Sequence, residues 1–115
     1  MDVISVTSHF SGNFSFGKYT RIEGRIDGKI TSSGLLIVGE KADLNAELSG
    51  NILVIQGKIQ GNINAQETVM IQATARICGD IRAPKIEIED GAKVEGNILM
   101  SKYHPNLFKK LETTN

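Results

Sequence analysis

A repeat of 17 residues constrains this chain more than any other feature, because a short self-similar unit can bury its apolar side only by stacking on its neighbours. The aliphatic triplets Leu35-Leu36-Ile37, Ile52-Leu53-Val54 and Val69-Met70-Ile71, with Ile86-Glu87-Ile88, begin at 35, 52, 69 and 86, each 17 residues after the last. A second motif, apolar-x-Gly-x-apolar, runs between them: Ile26-Asp27-Gly28-Lys29-Ile30, Leu44-Asn45-Ala46-Glu47-Leu48, Ile59-Gln60-Gly61-Asn62-Ile63, Ile77-Cys78-Gly79-Asp80-Ile81 and Val94-Glu95-Gly96-Asn97-Ile98. Phe14-Ser15-Phe16, followed by Ile22-Glu23-Gly24-Arg25-Ile26, reads as one more copy at the front, with a four-residue extension before the next repeat.

Apolar and polar residues alternate within each motif, the period of a strand with one buried face, and the repeats carry no sustained i, i+3, i+4 pattern. The chain is expected to be all-β. Stacking the copies gives columns. One holds Leu35, Ile52, Val69 and Ile86, and its neighbour Ile37, Val54, Ile71 and Ile88. A third holds Leu44, Ile59, Ile77 and Val94, and a fourth Leu48, Ile63, Ile81 and Ile98. Two more are small, Ala42-Gly57-Ala75-Ala92 and Ser32-Gly50-Ala65-Ala83, which suits the corners of a narrow coil. Turn dipeptides for antiparallel hairpins are scarce and every repeat has the same direction. The expectation is a single-stranded parallel β-helix of about five to six rungs, each closing its ladder on the next.

Charge and composition narrow the function. Thirteen Lys and Arg balance thirteen Asp and Glu, so no net field holds a nucleic-acid backbone, and no nucleic-acid partner is expected. Near-zero charge also removes a repulsion that keeps proteins apart. The single cysteine, Cys78, forms no intrachain disulfide, and no apolar run approaches membrane-spanning length. The segment from Met1 has no basic start that would make it a secretory leader, so the chain reads as cytoplasmic.

Catalysis finds no support in the sequence. Acyltransferases built on a left-handed coil repeat every six residues and carry a histidine in or beside the coil; 17 is not a multiple of six, and the only histidines, His9 and His104, lie in the flanks. A zinc hydrolase on such a coil needs three histidine ligands. Glu87, Glu89 and Asp90 read as a solvated edge, and Cys78, next to inward-facing Ile77, as an outward thiol without an evident basic neighbour. No catalytic residue, metal or cofactor is expected.

That leaves the ends of the rod. Each exposes unpaired backbone and the last members of the apolar columns, and no long helix is available to cap them. At the C-terminal end the small column runs into the large Met100, with Val94, Ile98 and Leu99 beside it. At the N-terminal end Phe14 and Phe16, with Ile22, stand where later copies have aliphatics. Two apolar ends imply longitudinal homopolymerisation, polar if head meets tail and non-polar if like meets like. The alternative is a non-polymerising adaptor whose tails plug the ends and recruit a partner.

Leu36-Ile37-Val38-Gly39-Glu40, the run from Ala75 through Ile77-Cys78-Gly79-Asp80-Ile81 to Pro84, and Ile88-Glu89-Asp90-Gly91-Ala92-Lys93-Val94-Glu95-Gly96 resemble the bactofilin core. The resemblance covers residues 14–100. It implies a right-handed, three-faced parallel β-helix that forms nucleotide-independent cytoskeletal filaments, associates with the inner face of the cell membrane, and positions cell-wall enzymes or membrane proteins that set cell shape. It also places Val94 where the family carries an apolar, often aromatic, end-contact residue. Residues 1–13 are then expected to be a flexible segment, with Val3, Ile4, Val6 and Phe10 as candidate membrane contacts. Residues 101–115 form a tail in which Leu107, Phe108, Lys109 and Lys110 make a basic apolar stretch suited to a membrane or a partner.

Overall fold

The computed structural model describes residues 2–4, 9–17 and 19–100, with backbone alone at 2–4 and at His9. Thirteen strands follow in order: β1 (Asp2–Ile4), β2 (His9–Phe16), β3 (Tyr19–Ile22), β4 (Arg25–Ser32), β5 (Leu35–Val38), β6 (Asp43–Ile55), β7 (Lys58–Gln60), β8 (Ile63–Ile71), β9 (Arg76–Cys78), β10 (Ile81–Ala83), β11 (Lys85–Ile88), β12 (Lys93–Glu95) and β13 (Ile98–Met100). Every pairing is parallel. Among the described residues there is no helix. The protein is a parallel β-solenoid, 38 × 24 × 21 Å.

Each rung crosses three faces. Face one stacks β1, β3, β5, the end of β6, the end of β8, and β11. Face two stacks the starts of β2, β4 and β6 on β7, β9 and β12. Face three stacks the second halves of β2 and β4 on the middle of β6, the start of β8, β10 and β13. Long strands such as β6 turn a corner without losing strand geometry, so one element serves two faces.

Inward side chains fill the bore with aliphatics. On face two the column is Ile26, Leu44, Ile59, Ile77 and Val94; on face three it is Ile30, Leu48, Ile63 and Ile81. All are buried, the least so being Val94 at 9% exposure. Ala42, Gly57 and Ala75 are buried at the corner between faces one and two, where a side chain on Gly57 would fall on the backbone of the rung above. The same tight turn closes this corner in three rungs, through the Ala42, Ala75 and Ala92 amides donating to Gly39, Gln72 and Glu89 carbonyls. Rungs with that turn take two more residues than the rung that passes directly from Ile55 to Ile59, which is why the motif spacing varies around 17.

Face one corrects the expected columns by one residue in the earlier copies. Leu36 and Leu53 stack on Val69 and Ile86, and Val38 and Ile55 on Ile71 and Ile88. These eight are buried, whereas Leu35, Ile37, Ile52 and Val54 point outward and are half-buried. Leu35–Val38 and Ile52–Ile55 are runs of four aliphatics, so alternation cannot set their phase, and a one-residue slip exchanges the faces. The register shift between Gly50 and Ile52 in the β6–β8 pairing absorbs the difference. Leu53→Ala should therefore cost about 2–5 kcal/mol and Ile52→Ala about 1 kcal/mol or less in urea unfolding. Equal costs would contradict this register.

The ladder also starts earlier than residue 14. Asp2–Ile4 pairs with Thr20–Ile22, and His9–Phe16 with Arg25–Ser32, so much of the segment expected to be flexible supplies the first rung. Its motif is Phe10-Ser11-Gly12-Asn13-Phe14, with Gly12 over Gly28. Ile22-Glu23-Gly24-Arg25-Ile26 is instead the corner from face one to face two, equivalent to Ile55–Ile59.

Candidate assembly interface

The inward columns end in different chemistry at the two ends. At the N-terminal end β2 lays Phe10 over Ile26, Phe14 over Ile30 and Phe16 over Ser32. The rings of Phe10 and Phe14 meet edge to face with centroids 5.9 Å apart, and those of Phe14 and Phe16 are stacked at 6.3 Å with an interplanar angle of 4°. Such contacts add about 0.5–1.5 kcal/mol per pair beyond burial. The three rings form one aromatic plate. Phe10 is 41% exposed, and Phe14 and Phe16 are half-buried.

Ile22 does not belong to this surface. It lies one layer inside, fully buried, with the backbone of Ile4 paired above it. Phe10, a candidate membrane contact in the sequence, packs on Phe14 as part of the plate and keeps 41% of its surface exposed. Val3 and Ile4 lie in β1, in register with Arg21 and Ile22. Val6, Leu107, Phe108, Lys109 and Lys110 lie outside the described residues.

At the C-terminal end Val94 stacks on Ile77, Ile98 on Ile81, and Met100 on Ala83. Ile98 and Met100 are half-buried and pack against the core. Leu99 is different: it continues the outward column through Arg82, is 50% exposed, and faces sideways from the rod. The partly open C-terminal surface is therefore Ile98 and Met100, with Val94, 9% exposed, buried at its margin. Among the described residues, nothing pairs with the outer edges of β1 and β2 or of β11, β12 and β13. Among those residues, both ends have edge strands whose backbone groups could extend the ladder.

The sides of the rod offer less. On face two, register aligns Lys58, Arg76 and Lys93 along a shallow groove that also exposes Cys78. The thiol thus faces outward as expected, stacked between Gln60 and Glu95, with the basic line two positions along the strands. No group of His, Cys, Asp and Glu among the described residues is arranged to hold a metal ion. No helix among them is long and apolar enough to cross a membrane.

Comparison with known proteins settles the family. The model of the bactofilins, described as polymer-forming cytoskeletal proteins, matches residues 2–99. The chain belongs to the bactofilin family. Two curated relatives come from Myxococcus xanthus (strain DK1622). Bactofilin BacP is 33% identical over 103 residues, covering 90% of this chain and 43% of BacP. Bactofilin BacO is 34% identical over 98 residues, covering 85% of this chain and 78% of BacO. The chain thus spans less than half the length of BacP. No solved structure matches. The family match begins at residue 2, in agreement with a first rung formed by β1 and β2.

Proposed function

We propose that this bactofilin is a non-enzymatic scaffold that polymerises end to end, without nucleotide, by stacking its Phe10-Phe14-Phe16 plate and its Ile98-Met100 surface, with Val94 at the margin, against further copies. The observation that carries this reading is that three inward columns run the length of the rod and end, among the described residues, in side chains only partly covered: Phe10, Phe14 and Phe16 at one end, Ile98 and Met100 at the other. A further copy would bury those side chains, at about 1.5–3 kcal/mol for each large one fully covered. It would also satisfy the edge groups of the terminal strands. Filaments made this way would be cytoplasmic scaffolds at the inner face of the membrane, positioning cell-wall enzymes or membrane proteins through their outer faces and tails.

Negative-stain electron microscopy of the purified protein without nucleotide tests this, beside Val94→Arg and Met100→Arg. Filaments in the wild type that disappear in Met100→Arg while its circular dichroism stays that of the wild type are the expected result, since an arginine at the contact is desolvated against an apolar column. Val94→Arg, at a buried position, is read only if it too keeps the wild-type spectrum. Monomers in all three proteins would refute end-stacking and return the function to an adaptor acting through its tails.

A further inference from the structure

The outer side of face one carries an aliphatic patch that end-stacking leaves uncovered. Its two columns are Leu35 over Ile52, and Ile37 over Val54 over Met70, all half-buried, with Tyr19 53% exposed at the upper edge. A contiguous aliphatic patch on a sheet otherwise faced with polar residues marks a binding surface. Below Met70 the second column ends in Glu87, with Glu89 and Asp90 following at the corner. Glu87 has no ion pair among the described residues.

We infer that the patch is the docking site of this chain's own C-terminal segment, with Leu107, Phe108 and Leu111 on the aliphatics and Lys109 and Lys110 toward the acidic foot. Three observations converge on that occupant. Every completed rung leaves face three and enters face one within one or two residues, as at Ser32 to Leu35, Gly50 to Ile52, Ala65 to Thr68 and Ala83 to Lys85. A chain that made the same turn after Met100 would enter at the foot of face one. The distance is short: Val54 lies two layers above Glu87, about 10 Å, while the seven residues from Met100 to Leu107 span up to about 23 Å. The charges also fit. Residues 101–115 carry Lys102, Lys109 and Lys110 against the single Glu112, and the foot carries Glu87, Glu89 and Asp90 against Lys85.

This docking is independent of end-stacking. Its test is the rate of trypsin cleavage at Lys109 and Lys110 in the full-length protein, followed by mass spectrometry. Cleavage that follows the undocked population should accelerate about tenfold in Val54→Asp and in Leu107→Ser/Phe108→Ser. The second variant leaves the solenoid untouched, so a folding defect cannot mimic the effect, and unchanged rates in it overturn the proposal. Cross-linking by a short dimaleimide in Cys78→Ser/Val54→Cys/Phe108→Cys identifies the occupant. A product at monomer mass in a denaturing gel is expected. A product at dimer mass would assign the patch to a second copy, and no product would leave the patch without the tail; either overturns the inference.

Discussion

Ile63→Lys is expected to abolish cooperative folding at room temperature, while Ile98→Lys, in the same column, leaves the fold intact and removes filaments. Ile63 is 1% exposed, with Leu48 above it and Ile81 below. Substitution removes a buried aliphatic, worth about 2–5 kcal/mol. It also places an ammonium between the buried aliphatics Leu48 and Ile81, and burying an unpaired charge costs several kcal/mol more. The sum consumes most of the ~5–15 kcal/mol that holds a domain together. In a stack where each rung touches only its neighbours, a break in the middle also separates the two halves. Ile98, half-buried in the last described layer, can turn a lysine toward water. Thermal melts by circular dichroism, paired with electron microscopy, separate the outcomes. A cooperative melt for Ile63→Lys near the wild-type midpoint would refute the packing described here, and filaments persisting in Ile98→Lys would refute its role at the end.

The contrast between these two positions was partly legible in the sequence. On faces two and three strict alternation left one phase for Leu44, Leu48, Ile59, Ile63, Ile77 and Ile81, and all six are buried. On face one Leu35–Val38 and Ile52–Ile55 offered two equally apolar phases, and only pairing with Val69, whose column continues to Ile86, decides between them. The first rung was readable in Phe10-Ser11-Gly12-Asn13-Phe14, but aromatics in place of aliphatics hid its membership of the repeat. Ala46, which breaks the glycine column, turns its methyl inward between Leu44 and Leu48 and is 5% exposed. The basic line of Lys58, Arg76 and Lys93 was implicit in the expected column, one position before Ile59, Ile77 and Val94, but emerges only once the repeats are stacked, since the three are separated by 18 and 17 residues.

Gly79→Ala should destabilise the protein by about 3–4 kcal/mol, against about 1–2 kcal/mol for Gly12→Ala. Both glycines occupy the bend between faces two and three with positive φ, +148° and +126°. An L side chain is strained at either. Only Gly79 is also under a neighbour: a Cβ there would fall on the carbonyl oxygen of Gly61, so the rungs must separate. A Cβ on Gly12 would meet nothing within 4 Å, because no described rung lies on it. Urea unfolding under conditions that keep the protein unassembled measures both costs, and equal values would mean that close approach between rungs contributes nothing. The assembled protein adds a second reading. If a further copy stacks on the aromatic plate, the open space over Gly12 closes, and Gly12→Ala then raises the critical concentration for polymerisation well beyond its small effect on the monomer. A critical concentration unchanged by Gly12→Ala would mean that copies do not meet through β2, and the Phe10-Phe14-Phe16 plate would lose its place in the filament.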